Sequence, residues 1–284
     1  MILVTGGTGL IGSEVLRRLS DAGVPARALT RNLNKAQKIS GVTWVTGDLG
    51  KPETLPAAFD GAQTLFLLTH YLEDMVELQH NAIDAARAAG VNHVVKVSAF
   101  AASDHSRAPI GRWHYQVEKE LEDSGLAWTM LRPHHFMQNL LAQAEYVVKE
   151  GVIYSASGDG KIPYVDGRDV GAAAAVTLTT PGHAGKKYVL TGSEAISYRQ
   201  AAGIISEVIG KPVRFVDESP DEARARRIRE GLSPAVTQSA LAIAAYQRAG
   251  GKTVTITSTI ADLTGRPPRT VPEFVREHAS SFRG

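Results

Sequence analysis

Short apolar runs alternate with amphipathic stretches through the first half of the chain. Residues 1–5, 26–30, 42–46, 64–68, 93–98 and 128–131 are rich in Val, Ile, Leu or Thr and bounded by Gly, Pro, Asn or Asp, the pattern of strands. Between them, helical periodicity covers 10–22 and 111–123, with short segments near 34–39 and 53–59. The clearest helix spans 72–89, where Leu72, Met75, Val76, Ile83 and Ala86 share one face and Gly90 follows as a stop. Strands apolar on both faces, alternating with helices, predict an α/β fold with a parallel sheet covered on both sides.

Beyond Pro133 the pattern loosens. It predicts helices over 136–149, 167–178 and 198–209 and strands over 151–154, 187–190 and 213–216. The C-terminal part reads as mostly helical, over 221–230, 234–249 and 271–280. No repeat or low-complexity linker intervenes. The expected division is a first domain over 1–150, joined by strand and helix returns from 160–195, and a small, mostly helical portion over 151–284 folded against it. The cleft between the two is the expected substrate site.

Composition then narrows the chemistry. The 284 residues include no cysteine, which removes disulfides, thiolate metal sites, iron–sulfur clusters and a cysteine nucleophile. Thirty-one basic against 29 acidic side chains give no reason to expect nucleic acid as a partner. The densest basic run, Arg224, Arg226, Arg227 and Arg229, is interleaved with Asp221, Glu222 and Glu230 and reads as a solvated helix face. No basic segment leads into a long apolar stretch, so neither a secretory signal nor a membrane span is expected. The expected location is the cytoplasm.

The first strand runs into Val4-Thr5-Gly6-Gly7-Thr8-Gly9-Leu10-Ile11-Gly12. Glycines at 6, 9 and 12 stand where a strand turns into a helix. Gly6 permits the tight turn, Gly9 lets the backbone approach a pyrophosphate, and Gly12 lets helix and strand pack closely. Thr8, Leu10 and Ile11 bring backbone N–H groups to the helix amino end, which favours anions. The plainer alternative is a tight turn that binds nothing. The second strand ends Thr30-Arg31-Asn32, without the acidic residue that holds the ribose hydroxyls in NAD sites. Arg31, with Lys35 about one turn on, suits a 2′-phosphate instead. NADP(H) is therefore the expected cofactor, with a surface charge as the plainer reading of Arg31. Asp48, followed by Leu49, closes the third strand, where a carboxylate would meet the adenine amine or simply shape a turn.

Thr5-Gly6-Gly7-Thr8-Gly9-Leu10-Ile11-Gly12 resembles the atypical short-chain dehydrogenases of the NmrA-like group. So do Thr46-Gly47-Asp48, the block His114-x-x-x-Glu118-x-x-Leu121-x-x-Ser124-Gly125, and Thr129-x-Leu131-Arg132-Pro133-x-x-Phe136-Met137-x-Asn139. Val165-Asp166-x-Arg168-Asp169-Val170, Leu190-Thr191-Gly192 and Thr264-Gly265-Arg266-x-Pro268-Arg269-Thr270 extend the resemblance over nearly the whole chain. It implies a Rossmann-type, doubly wound parallel sheet with a small, mostly helical C-terminal substrate-binding portion, and an NADPH-dependent reductase acting on quinones or other conjugated aromatic compounds. It equally covers relatives that bind the cofactor as redox sensors and catalyse nothing, and lyase or isomerase chemistry in the same cleft stays open.

Short-chain dehydrogenases commonly pair Tyr and Lys four residues apart, and Tyr115 and Lys119 have that spacing. Helical geometry argues against them. Ile110, Trp113, Val117 and Leu121 form the apolar stripe, His114 and Glu118 border it, and Tyr115 and Lys119 fall opposite. The register implied by the resemblance agrees. It places His114 at the lysine position and an apolar residue, Ile110, near the tyrosine position. His114 is then the candidate for ribose contact and proton delivery, against the plainer reading of a hydrogen-bonded helix histidine.

Ser98 ends the fifth strand at the edge where ligands sit in such sheets, though it would equally cap the next segment. Thr69 and His70 follow the fourth strand toward the cofactor channel. Pro133 and Phe136, by resemblance, border the nicotinamide. Adjacent His134 and His135 point about 100° apart on a helix and are not expected to hold a metal. The expected partner is a small aromatic or quinone-like molecule, with a homodimer left open.

Overall fold

The computed structural model describes all 284 residues. In chain order its elements are β1 (Ile2–Val4), α1 (Leu10–Asp21), β2 (Ala26–Thr30), β3 (Val42–Thr46), α2 (Leu55–Phe59), β4 (Thr64–Leu67), α3 (Met75–Ala88), β5 (His93–Val97), α4 (Pro109–Asp123), β6 (Ala127–Pro133), α5 (Gln138–Leu141), α6 (Ala144–Glu150), β7 (Val152–Ser155), α7 (Gly167–Thr179), β8 (Lys186–Leu190), α8 (Tyr198–Ile209), β9 (Arg214–Asp217), α9 (Pro220–Arg229), α10 (Pro234–Ala249), α11 (Thr259–Thr264), α12 (Val271–Glu277) and α13 (Ala279–Arg283).

Seven strands form one sheet in the order β3-β2-β1-β4-β5-β6-β8. The pairs from β3 through β6 run parallel. The chain leaves β1 outward through β2 and β3, then returns to β4 on the other side. The carboxyl ends of β1 and β4 therefore flank a topological switch point, where ligands bind in open α/β sheets. β7 and β9 form a separate two-stranded parallel sheet.

The chain divides into two compact units that do not follow one cut. Unit 1 holds Met1–Asp104, Arg112–Arg132 and Arg168–Val189; unit 2 holds His105–Gly111, Pro133–Gly167 and Leu190–Gly284. The core of unit 1 joins Leu3, Leu65, Leu67 and Val94 of the sheet to Phe59, Ile83, Ala86, Val117 and Leu121 of its helices. Strands apolar on both faces bury that way because helices cover them. Unit 2 has its own core around Met137, Ile153, Tyr164, Ile205, Phe274 and Phe282.

Three expectations from the hydrophobic pattern change. The helix expected over 136–149 is broken into α5 and α6. Asn139, Leu140 and Gln143 bond three residues back, to Phe136, Met137 and Leu140, because the segment is tied elsewhere. Met137 N–H donates to Val165 O at 2.9 Å, and Gln138 bonds Asp166 and Gly167. The helix expected over 271–280 breaks at His278, whose ring stacks on Phe274 with centroids 4.3 Å apart. The basic run is a solvated face only in part: Arg224 and Arg229 are exposed, but the other two arginines are not. Arg226 is 6% exposed, held by Glu218 at 2.8 Å and Glu230 at 2.7 Å, and Arg227 is half-buried.

Candidate functional site: the switch point and the β5–α4 cluster

The glycine turn leaves β1 at the switch point. Gly6 adopts φ +66°, and a Cβ there would lie 2.9 Å from the Leu68 carbonyl oxygen at the end of β4. At Gly12 a Cβ would lie 2.2 Å from Gly6 O, so helix and turn fit only without it. Gly9 differs: a Cβ there would meet only Gly6 O, at 3.4 Å. The protein itself leaves space at Gly9, where a diphosphate would pass. Gly9 is also the N-cap of α1, and no side chain caps that end, so the first N–H groups of a twelve-residue helix are left for an anion. Thr8 and Leu10 are exposed beside them and Ile11 is half-buried. Thr5, not singled out by sequence, fixes the turn: its Oγ1 donates within reach of Phe66 O and Leu68 O and accepts from Leu68 N–H at 2.8 Å.

Arg31 and Lys35 lie just past β2, and both are exposed. Thr30 Oγ1 is occupied by the backbone of Asn32 at 3.1 Å, so no acid or free hydroxyl competes for the group beside Arg31. Asp48 accepts from Gly50 N–H at 3.0 Å, so the carboxylate shapes the turn after β3. Leu49 is buried in the core. After β4, Thr69 accepts from Gln79 Nε2 at 2.8 Å, and His70 Nε2 meets Asp74 at 2.6 Å. Asp74 is the N-cap of α3, which starts at Met75, three residues later than the periodicity places it.

Two rungs join β5 to α4. Residues two apart on a strand share a face, as do residues four apart on a helix. Lys96 Nζ meets His114 Nδ1 at 3.1 Å, and Ser98 Oγ donates to Glu118 Oε1 at 2.5 Å. Lys96 also donates to Val97 O at 3.1 Å and is completely buried. Arg132 of β6 grips Glu118 with Nε at 2.9 Å and with Nη2 on the other oxygen. Lys187 approaches the same carboxylate at 3.3 Å. Burial alone would raise the Glu118 carboxyl, but Arg132, Ser98 and Lys187 hold it below the usual range. Burial pushes the Lys96 amine down to about 7, with Glu118 opposing and Arg132 adding to the effect. Burial, then the Lys96 charge, keeps the His114 imidazole neutral well below its ordinary range.

The cluster places His114 and Ser98 together and leaves Tyr115 and Lys119 out. Lys119 is exposed and paired with Glu122 at 2.7 Å, and Tyr115 is half-buried. Lys96 was the residue missed. The signal was a lone charged side chain in an otherwise apolar strand.

In unit 2, Pro133 is buried at the end of β6, and the half-buried Phe136 bridges to Val165. His135 Nε2 meets Tyr198 Oη and Asn139 Nδ2, each at 3.1 Å. Its ring stands edge-on to Tyr164, centroids 5.4 Å apart. Burial, with the neighbouring charges of His134 and Arg227, pushes its pKa down to about 3. His134 Nδ1 accepts from the His135 N–H at 2.8 Å. The adjacent histidines are thus committed to local contacts, and no group of three or more His, Asp or Glu is placed to hold a metal. No helix is long and apolar enough to cross a membrane.

A doubly wound sheet whose first strand turns through glycines into an uncapped helix end defines a dinucleotide-binding scaffold of the Rossmann type. Comparison with known proteins is specific. The model of the NmrA-like family matches residues 1–275. An NAD(P)H azoreductase of Xenophilus azovorans is 38% identical, with 99% of each chain covered. Quinone oxidoreductase 2 of Escherichia coli is 34% identical over 97% of each. The solved structure of the NADPH-dependent quinone oxidoreductase of Escherichia coli with NADPH superposes with a TM-score of 0.89, covering 98% of this chain and 99% of that one at 31% identity. The chain belongs to the NmrA-like family, and it is an oxidoreductase.

Proposed function

We propose that the protein is an NADPH-dependent reductase that transfers hydride to a quinone-like or other conjugated aromatic acceptor. The observation that carries this reading is the space at Gly9 in front of the uncapped α1, with exposed Arg31 and Lys35 at the adjoining strand end. Its cofactor is NADP(H). The N–H groups of Thr8, Leu10, Ile11 and Gly12 hold the diphosphate, the Gly9 N–H being engaged by Gly6 O at 3.0 Å, and Arg31 with Lys35 holds the 2′-phosphate. Asp48, Leu49, Thr69 and His70 line the adenosine side; Ser98 and His114 belong to the nicotinamide side. When bound, the reduced nicotinamide supplies the hydride.

The chain's own residues favour acceptors that need little acid. The Ser98 O–H donates its hydrogen bond to Glu118, so its oxygen is left to accept. His114 is neutral near pH 7 and donates a hydrogen bond more readily than a proton. A hydroquinone oxyanion is a far weaker base than a simple alkoxide, so a neutral donor and water suffice. The azoreductase and quinone oxidoreductase relatives support the same acceptor class, since both names describe electron-poor conjugated compounds.

The test is NADPH consumption across a panel of quinones, azo compounds, enones and simple ketones. The expected order has quinones and azo compounds turned over and simple ketones not. Tyr115→Phe and Lys119→Met are expected to stay within about twofold of the parent. Preferential reduction of simple ketones, lost in Tyr115→Phe, would contradict the reading.

A further inference from the structure

A lysine inside a parallel sheet is costly. Lys96 is 0% exposed, and methionine would fill similar space without burying an amine. Its surroundings show what the amine does. Only two acceptors meet Nζ: Val97 O and His114 Nδ1, each at 3.1 Å. Glu118 is engaged by Arg132 and Ser98, so Lys96 is not there to neutralise it. An ammonium has no lone pair and can only donate. Below about pH 7, where the Lys96 amine is protonated, His114 Nδ1 therefore offers its lone pair, and the single proton of a neutral imidazole is left on Nε2.

We infer that Lys96 is a positioning residue that holds His114 in the Nε2–H tautomer, making Nε2 the donor presented to the bound ligand. Val97 O anchors the amine from the strand side, so the clamp is built into the backbone of β5. The second rung, Ser98 to Glu118, holds the helix at the register that keeps Nδ1 over Nζ. The ligand group recognised is an acceptor oxygen, a ribose hydroxyl or the developing oxyanion of the reduced carbonyl. This assignment of the recipient rests on the proposed function; the tautomer itself does not.

The experiment is nitrogen-15 histidine correlation spectroscopy of the full chain, with His114→Gln identifying the His114 signals. The parent protein is expected to show His114 as Nε2–H at pH 6. Lys96→Met is expected to lose that preference, with Nδ1–H appearing. Because it removes a buried amine, it should remain folded. Lys96→Gln retains an N–H donor and is expected to restore Nε2–H in part. Turnover is expected to fall roughly ten- to hundredfold in Lys96→Met, with KM for NADPH little changed, and to recover partly in Lys96→Gln. An unchanged His114 tautomer in folded Lys96→Met would overturn the inference. Absence of turnover by the parent protein would instead overturn the proposed function, leaving the tautomer result standing.

Discussion

The Ser98 hydroxyl donates a hydrogen bond to Glu118 across 2.5 Å, and Arg132 closes on the same carboxylate from β6. One buried acid thus ties the ends of two neighbouring strands to the middle of α4. Glu118→Gln leaves the Arg132 charge without its partner and is expected to lower unfolding free energy by about 3 kcal/mol. Ser98→Ala removes one charge-assisted bond and is expected to cost about 1–2 kcal/mol. Urea unfolding monitored by circular dichroism checks both, with the slope unchanged.

The glycines at 9 and 12 are expected to fail differently. Gly12→Ala forces a Cβ to within 2.2 Å of Gly6 O and should lower the melting temperature and abolish cofactor binding together. At Gly9 the protein leaves room, so Gly9→Ala should stay within about 1 kcal/mol of the parent in stability while NADPH affinity falls at least about tenfold. Calorimetric titration alongside thermal unfolding separates the two.

Arg31 is exposed, so replacing it tests recognition without disturbing the core. Arg31→Ala is expected to raise KM for NADPH by roughly tenfold or more while leaving KM for NADH nearly unchanged. Steady-state kinetics with both cofactors gives the ratio. An equal change for both would place Arg31 outside the 2′-phosphate site.

Lys96 gives a pH signature. Its amine titrates near 7 in the folded protein against an ordinary value of 10.5, because burial disfavours the charge. Between those values the unfolded chain binds the extra proton, so the lysine's contribution to stability rises with pH across that window and is flat below it. Lys96→Met removes the term. The stability of the parent relative to the variant is therefore expected to rise from about pH 7 toward pH 10, read by urea titration at several pH values.

Much of this architecture was legible in the pattern of side chains. β2, β3, α8 and α10 begin and end where periodicity and punctuation place them, since glycine, proline and serine caps mark those ends. The glycine turn was legible because its chemistry is local. What escaped was set by tertiary contacts. α5 and α6 are separated because Met137 and Gln138 bond residues near 165, which no local pattern announces. Arg226 is buried by Glu218 and Glu230, though its neighbours in sequence look solvated. At the site, helix periodicity placed His114 and Glu118 on the packed side of α4 and Lys119 on the solvated side, and the structure has His114 and Glu118 buried and Lys119 exposed. Yet Lys96 was passed over inside an apolar strand, because only the packing of β5 on α4 shows that a lysine there has a partner.

The central claim is hydride transfer from NADPH to a conjugated acceptor. An anaerobic single-turnover reaction with NADPH deuterated at C4 and a benzoquinone, followed by absorbance and mass spectrometry, tests it most directly. The expected result is stoichiometric formation of NADP⁺ and hydroquinone, with deuterium lost from one prochiral position of the cofactor only. Tight NADPH binding without oxidation, for the quinone and for an azo acceptor alike, would contradict the account.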